Sequence, residues 1–439
     1  MKRLFRSVHL VDPKAGRHGR FDLLVDGDRV AAVGRDLPVN GATVVELPEG
    51  CIVTPGLIDM HVHLREPGQE HKETIATGTA SAVAGGFTAV ACMPNTDPVN
   101  DTASVTRFIV TRAAEVGLAR VYPIGAVSMG SNGQQLTEIG DLRAAGCVAI
   151  TDDGRPVATA LLVRRALEYA SMFGMPLIEH CEDSSLKGDG VAHEGAVGGL
   201  LGLRGIPGAA EAITAERDIS VAELTGGHVH IAHMSARQTL RAVRAGKERG
   251  IKVTCEVAPH HFTLTDDALA EHGGYDTNLK MNPPLREQAD RAAMIDGLRD
   301  GSVDVIATDH APHHADEKAL EFDRAPFGIV GLETCVPLCF ERLVRPGIIT
   351  VSRLVELLSV NPARILGVPG GTLVEGSPAD ITILAPDAPV TIHAAAFRSK
   401  SKNSPFDGWT LHGAVAGTIV GGRTVYVNDA VTGAGVLRA

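Results

Sequence analysis

The sequence predicts an α/β protein: a closed (β/α)8 TIM barrel carrying a small β domain made from both ends of the chain. Three observations predict it. From about residue 55 to about 368, short apolar runs alternate with Ala-rich helical stretches, the pattern of a parallel sheet with crossover helices. Eight strand units fall in roughly 310 residues, against about 250 for a typical barrel with room for insertions. Both ends are β-rich where the middle is not, so residues 1–54 and 369–439 form one small domain and residues 55–368 one inserted domain. A doubly wound open sheet is the competing architecture. No Gly-x-Gly-x-x-Gly follows the first strand of the middle region, which weakens its dinucleotide-binding form.

The elements follow in order. Phe21–Asp26 and Arg29–Gly34 flank Gly27-Asp28 and read as a hairpin. The eight barrel strands are read at Leu57–Val62, Phe87–Met93, Ala119–Ala126, Cys147–Asp152, Pro176–Glu179, His228–His233, Ile251–Val257 and Val303–Thr308. Helices are read at Thr74–Ala84, Ala158–Phe173 and Ala209–Leu224, and Asn361-Pro362 caps a late one. Ala379–Leu384 and Gly417–Val427 return to β character.

Composition narrows the class. Gly is abundant at 49 and aromatics scarce at 4%, which suits tight turns around an aliphatic core. A formal net charge of -11 with no long basic stripe argues against nucleic-acid binding. Cys51, Cys92, Cys147, Cys181, Cys255, Cys335 and Cys339 are odd in number and lack C-x-x-C spacing, so a reducing compartment is expected rather than a disulfide framework. No signal-peptide-like stretch follows Met1, and no run approaches a membrane span; the expectation is a cytoplasmic enzyme.

The chemistry gathers where the strands end. His61 and His63 alternate onto one face of an extended strand, and Arg65 joins them if that geometry continues. Other ends carry Met93-Pro94-Asn95, Asp152-Asp153-Gly154, Glu179-His180-Cys181-Glu182, His233-Met234-Ser235 and Asp309-His310-Ala311-Pro312-His313. In a (β/α)8 barrel these ends converge on the face that holds active sites. A nitrogen and oxygen ligand set without matched cysteines favours Zn²⁺, with Mn²⁺, Co²⁺ or Fe²⁺ as substitutes. Four histidines and two aspartates exceed one tetrahedral site and suit two metals sharing a bridging carboxylate and hydroxide.

Pro55-Gly56-Leu57-Ile58-Asp59-Met60-His61-Val62-His63 resembles the opening of the amidohydrolase superfamily. With Leu64-Arg65-Glu66-Pro67-Gly68, Met93-Pro94-Asn95-Thr96, Lys280–Arg286, Thr308–His313 and Ser401–Phe406, the chain resembles the class I bacterial dihydroorotases over nearly its whole length. The resemblance implies a small β-sandwich beside the barrel and reversible hydrolysis of dihydroorotate to N-carbamoyl-aspartate. It implies two Zn²⁺ per subunit: one on His61, His63 and Asp309, the other on His180 and His233, bridged by Asp153 and a hydroxide. Relatives such as hydantoinases bridge with a carboxylated lysine, and Thr151-Asp152-Asp153-Gly154 has none.

Asp309 is the implied catalytic proton shuttle. His63, Arg65, Asn95, Asn282, His313 and the backbone of Phe327 and Gly328 are the implied substrate contacts, with Arg65 forking onto the substrate carboxylate. Residues 312–318 form a polar lid. Glu179 and Glu182 are read as orienting His180, Cys181 as packing, His260 and His261 as structural, and His71, His193 and His314 as solvent-facing. A homodimer and association with an aspartate transcarbamoylase are the implied partnerships. The competing functions are another cyclic amidase, a hydantoinase or allantoinase, and an inactive dihydroorotase-like scaffold subunit. Arg65 and Asn95 argue against the first, and the complete ligand set against the second.

Overall fold

The computed structural model describes residues 2–433 and residue 437; residues 1, 434–436, 438 and 439 of the expected small domain lie outside the described residues. Two β systems meet at one glycine. Strands β1 (Lys2–Asp12), β2 (Arg17–Asp26), β3 (Arg29–Gly34), β4 (Thr43–Val45) and β5 (Ile52–Pro55) belong to a sheet at the N-terminal end. After Gly56 the chain enters β6 (Leu57–Val62), then β7 (Phe87–Cys92), β8 (Arg120–Pro123), β9 (Leu177–Glu179), the short pair β10 (Ala192–His193) and β11 (Gly205–Ile206), β12 (Val229–Ile231), β13 (Val253–Val257) and β14 (Val305–Ile306). Strands β15 (Ile381–Thr391), β16 (Thr410–Val420) and β17 (Arg423–Val427) return to the first sheet, whose order is β17-β16-β15-β5-β1-β2-β3 with β4 also on β1.

That first sheet turns on a bulge. The β1–β2 register shifts between Phe5 and Val8, and Ser7 takes φ +48°. One half of β1 then pairs with β4 and the other with β5, the device by which a bent strand serves two faces. The enclosed cluster includes Phe5, Leu10, Leu23, Val53, Ile381 and Ile419. Arg120 at the start of β8 grips Asp380 beside β15 with a two-bond fork of 2.6 and 3.1 Å, locking this sheet to the rest of the molecule.

The middle region closes into a ring. Strands β6, β7 and β8 pair in parallel, as do β9, β12, β13 and β14. The expected fourth strand, Cys147–Asp152, is not a regular strand; only Ile150 bridges, to Gly125 on one side and Leu177 on the other. It still fills its place: Val148 N donates to Pro123 O at 3.1 Å, Thr151 N to Gly125 O at 2.9 Å, and Ile178 N to Ile150 O at 2.9 Å. The last join is made beyond the end of β14, where His63 N donates to His310 O at 2.9 Å and Thr308 N to the Asp59 carboxylate at 3.2 Å. Met60, Ile124, Ile178, Val305 and Leu366 form one buried cluster within the ring.

Helices cover the outside. Thr74 caps Ile75–Ala84 through a reciprocal bond with Thr77, and Thr159 caps Ala160–Ser171. In the latter, Leu162, Val163, Ala166, Leu167 and Ala170 are buried, the helical spacing of a face laid against a sheet. Gly208–Thr225 covers the stretch before β12.

Candidate active site

Side chains from the ends of six ring positions enter one cavity of about 340 Å³, lined by His63, Arg65, Asn95, Asp153, Gly154, His180, Lys187, His233, Asn282, Asp309, Ala311, His313 and the Pro326–Gly328 loop. The backbone turns sharply to deliver them. Arg65, His233 and Asp309 occupy left-handed conformations, at φ +60°, +27° and +48°, which non-glycine residues adopt at a cost. This corrects the expectation that Arg65 reaches the site by continuing the strand: β6 stops at Val62, and a left-handed turn aims Arg65 inward.

Asp153 is the hub. His61 Nε2 lies 3.3 Å, His233 Nε2 3.7 Å and His180 Nδ1 3.9 Å from its Oδ1, and His63 Nε2 lies 3.6 Å from its Oδ2. Asp309 Oδ1 approaches His63 Nε2 at 3.2 Å and His61 Nε2 at 3.7 Å. His180 Nδ1 and His233 Nε2 face each other at 3.0 Å. Neighbouring Asp152 points elsewhere, its carboxylate accepting from the Ser128 backbone N–H at 3.0 Å and from the Ser128 hydroxyl.

These donors suit a metal. His61 Nε2 is buried without a hydrogen-bond partner, and its other nitrogen meets Glu256 Oε1 at 2.7 Å. His63 Nδ1 donates to Asn95 Oδ1 at 2.9 Å. Each ring thus spends one N–H on an oxygen and turns its other nitrogen toward the carboxylates, the arrangement of histidine ligands. His61, His63 and Asp309 could hold one ion, as could His61, Asp153 and His233. Burial opposes charge on His61, yet Asp153 and Glu256 outweigh it and hold its pKa well above the ordinary imidazole value. Burial would raise the Asp309 carboxyl, but His63, His61 and His233 hold it well below the usual range.

Arg65 lines the cavity without the direct carboxylate partner that Lys187 has in Glu182. It is buried; its guanidinium donates to Pro312 O at 3.3 Å and lies 3.4 Å from His313 Nε2. No carboxylate sits within 4 Å of it among the described residues. Burial pulls its pKa down to about 10, with Asp309 and Asp153 pulling the other way, so it stays charged at neutral pH.

The opposite wall is held by lysines. Lys280 Nζ donates to the carbonyls of Phe322, Asp323 and Ala325, and Lys318 Nζ to those of Pro326 and Gly328. Gly328 N donates to Lys280 O, Gly328 O also accepts from Asn403, and Phe327 O faces His313 Nε2 at 2.8 Å. Of the Phe327–Gly328 backbone, these bonds leave the Phe327 N–H and a second lone pair on Phe327 O to meet a ligand. The 312–318 segment ends in the capped turn Ala315–Lys318 and is anchored by that buried lysine.

Asn282 Nδ2 donates to Glu182 Oε2 at 2.8 Å and lies 3.2 Å from His180 Nε2. Glu182 is pinned by Lys187 at 2.8 Å; burial is overcome by His180 and Lys187, and its pKa falls to about 2. Glu179 is buried away from His180, with Asp218, Arg217 and Asp152 as its charged neighbours. His260 and His261 are buried, and His261 Nε2 donates to Pro283 O at 2.9 Å. His193 is not solvent-facing: it is buried and accepts at Nδ1 from Arg286 at 3.1 Å, because the β10–β11 insertion folds over it. Sequence reasoning missed Glu256 and Lys187. An acid inside the apolar run of β13 was the available signal for Glu256; nothing local marks Lys187.

Ring and site define a metal-dependent hydrolase. The Dihydro-orotase-like family model matches residues 50–239 and the Amidohydrolase family model residues 212–426. The chain is 52% identical to the dihydroorotase of Geobacter metallireducens over 97% of this chain and 100% of that one, and 53% identical to that of Geobacter sulfurreducens over 97% and 99%. In fold it resembles the L-hydantoinase (dihydropyrimidinase) of Arthrobacter aurescens, with a TM-score of 0.85 at 24% identity over 96% and 95% of the two chains. The chain belongs to the dihydroorotases of the amidohydrolase family, and it is a hydrolase acting on cyclic amides.

Proposed function

We propose that the chain catalyses the reversible hydrolysis of dihydroorotate to N-carbamoyl-aspartate. The observation that carries this reading is Arg65, a buried guanidinium without an ion-pair partner among the described residues, at the wall of a cavity full of histidine and aspartate. A carboxylated ring supplies the missing anion; a neutral hydantoin does not.

In this reading His61, His63 and Asp309 would hold one Zn²⁺ and His180 and His233 a second, with Asp153 available to either, since all four histidines lie within 4 Å of its carboxylate. Bound divalent metal supplies acidification of water and polarisation of the ring carbonyl. The chain's own groups do the rest. Arg65 seats the substrate carboxylate beside His313. Asn95 holds His63 through Oδ1 and presents Nδ2 toward Asp153 at 3.4 Å. Asn282 and the Phe327–Gly328 loop close the far side of the ring. Asp309 takes the proton from the attacking water and delivers it to the departing ring nitrogen.

The reading also assigns catalysis to residues 55–368 and support to residues 1–54 and 369–439, since Gly56 alone separates β5 from β6. It places a homodimer in the cytoplasm, where seven free, buried cysteines are stable; sedimentation tests the stoichiometry. Ring-opening of dihydroorotate, assayed beside hydantoin and allantoin on protein of measured metal content, tests the activity. Turnover of the neutral rings without turnover of dihydroorotate would overturn it.

A further inference from the structure

His61 is the first member of a hydrogen-bonded row that leaves the cavity and runs between β12 and β13. Its Nδ1 lies 2.7 Å from Glu256 Oε1. Glu256 Oε2 lies 3.2 Å from His230 Nε2. His230 Nδ1 lies 2.8 Å from Thr254 Oγ1, and that oxygen lies 2.8 Å from His228 Nε2. Glu256, His230 and Thr254 are all buried, so no bulk water competes for these bonds.

With His230 and His228 as neutral imidazoles, the row has one consistent set of directions. A carboxylate only accepts, so His61 donates from Nδ1 and His230 from Nε2. An imidazole that donates from Nε2 keeps a lone pair on Nδ1, which takes the single hydroxyl proton of Thr254. The Thr254 oxygen then accepts from His228 Nε2. Read from the far end, each bond fixes the next, and the last leaves His61 Nε2, not Nδ1, facing Asp153 and Asp309, as the nitrogen that offers its lone pair once a metal replaces its proton. The same Glu256 carboxylate accepts from the His233 backbone N–H at 3.2 Å, so it ties together strands that carry ligands to both proposed ions.

We infer that His230 and Thr254 are positioning residues for metal binding: they hold Glu256 in place and, through it, hold His61 in the tautomer that offers Nε2. Neither touches the cavity. The inference rests on the metal-ligand reading of His61 and adds two residues, two and three hydrogen bonds behind it.

The test is Zn²⁺ affinity of the chelator-stripped full chain, measured by competition with a coloured chelator, for wild type and for His61→Asn, His230→Leu, His230→Gln and Thr254→Val. His230→Leu removes the donor to Glu256 and should weaken Zn²⁺ binding about 10–100-fold, the usual effect of losing an outer partner of a ligand. His230→Gln keeps an N–H there and should recover most of that loss. Thr254→Val is near-isosteric, frees His230 to take its other tautomer, and should weaken binding several-fold. KM for substrate in metal-saturated protein should stay at the wild-type value in all three. Wild-type affinity in both His230→Leu and Thr254→Val overturns the inference, as does equal damage from leucine and glutamine, which would make His230 a packing residue. Should His230→Leu fail to fold, Thr254→Val alone decides. Unaltered Zn²⁺ binding by His61→Asn would instead overturn the ligand reading itself.

Discussion

Replacing Arg65 by methionine separates substrate recognition from catalysis. The guanidinium is buried and, among the described residues, has no carboxylate within 4 Å; Asp309 and Asp153 act on it only from further off, so it lacks a direct ion-pair partner until an anion enters. A charge-assisted bond is worth about 1.5–3 kcal/mol; losing a two-bond fork at the low end of that range costs about 3 kcal/mol. At about 1.4 kcal/mol per factor of ten, KM for dihydroorotate should rise roughly a hundredfold, with kcat falling far less because the metal ligands and Asp309 are untouched. Methionine fills the stem volume and removes an unpaired buried charge, so the denaturation midpoint should not fall. Steady-state kinetics across a wide substrate range, with a urea melt of the same preparation, gives both numbers. An unchanged KM would refute the carboxylate assignment. So would a large loss of stability, which would mean that Arg65 is structural.

Three further outcomes follow from the same geometry. Asp309→Asn keeps the shape and removes the base, so kcat should fall at least about a hundredfold while elemental analysis still finds metal; near-normal turnover would remove Asp309 from proton transfer. Gly68→Ala places a Cβ 1.9 Å from Asp97 O at φ +92°, which should destabilise the protein by more than about 2 kcal/mol; a wild-type urea midpoint would contradict the clash. In metal-free protein the raised His61 pKa stabilises the fold fully below the unfolded value of about 6.5, and that contribution is lost as pH rises through the folded value. The difference in melting temperature between wild type and His61→Asn should therefore shrink from pH 6 upward, and a constant difference would deny the shift.

Most of the strand order was legible because buried parallel strands are written as short apolar runs. The first strand falls on the residues expected, Leu57–Val62. The eighth shrinks to Val305–Ile306, because the chain turns at Asp309 and the ring is closed by single bonds beyond it. The gathering of the candidate residues was legible because histidine and aspartate at apolar strand ends are poorly suited to packing; His63, Asp153, His180, His233 and Asp309 line one cavity, and His61 lies buried behind it against Asp153. Arg65 was placed by the wrong route, since a left-handed turn leaves no mark in an L-residue sequence. Lys187 was missed because it comes from the short helix after β9, and His193 was misplaced because its pairing with Ile206 and the contact from Arg286, 93 residues on, bury it.

Asp152 and Asp153 show where local reading ends. Both are acids, adjacent, at the end of a stretch too irregular for strand parity to assign faces. The distinction is made 24 residues upstream, where Ser128 offers both its backbone N–H and its hydroxyl to Asp152. A carboxylate so satisfied has no need of the histidines, and it also anchors the loop that follows β8. Asp153 has a weak 3.4 Å contact from Asn95 and otherwise only imidazole nitrogens around it. In a buried site that arrangement is costly unless positive charge is shared among those nitrogens or brought by a cation. The histidines supply it as protons in metal-free protein, which is why Asp153 is held far below the ordinary carboxylate range, chiefly by His61 against the opposing effect of burial. Ser128→Ala should therefore disturb Asp152 and the loop, while leaving the four-histidine contact of Asp153 in place.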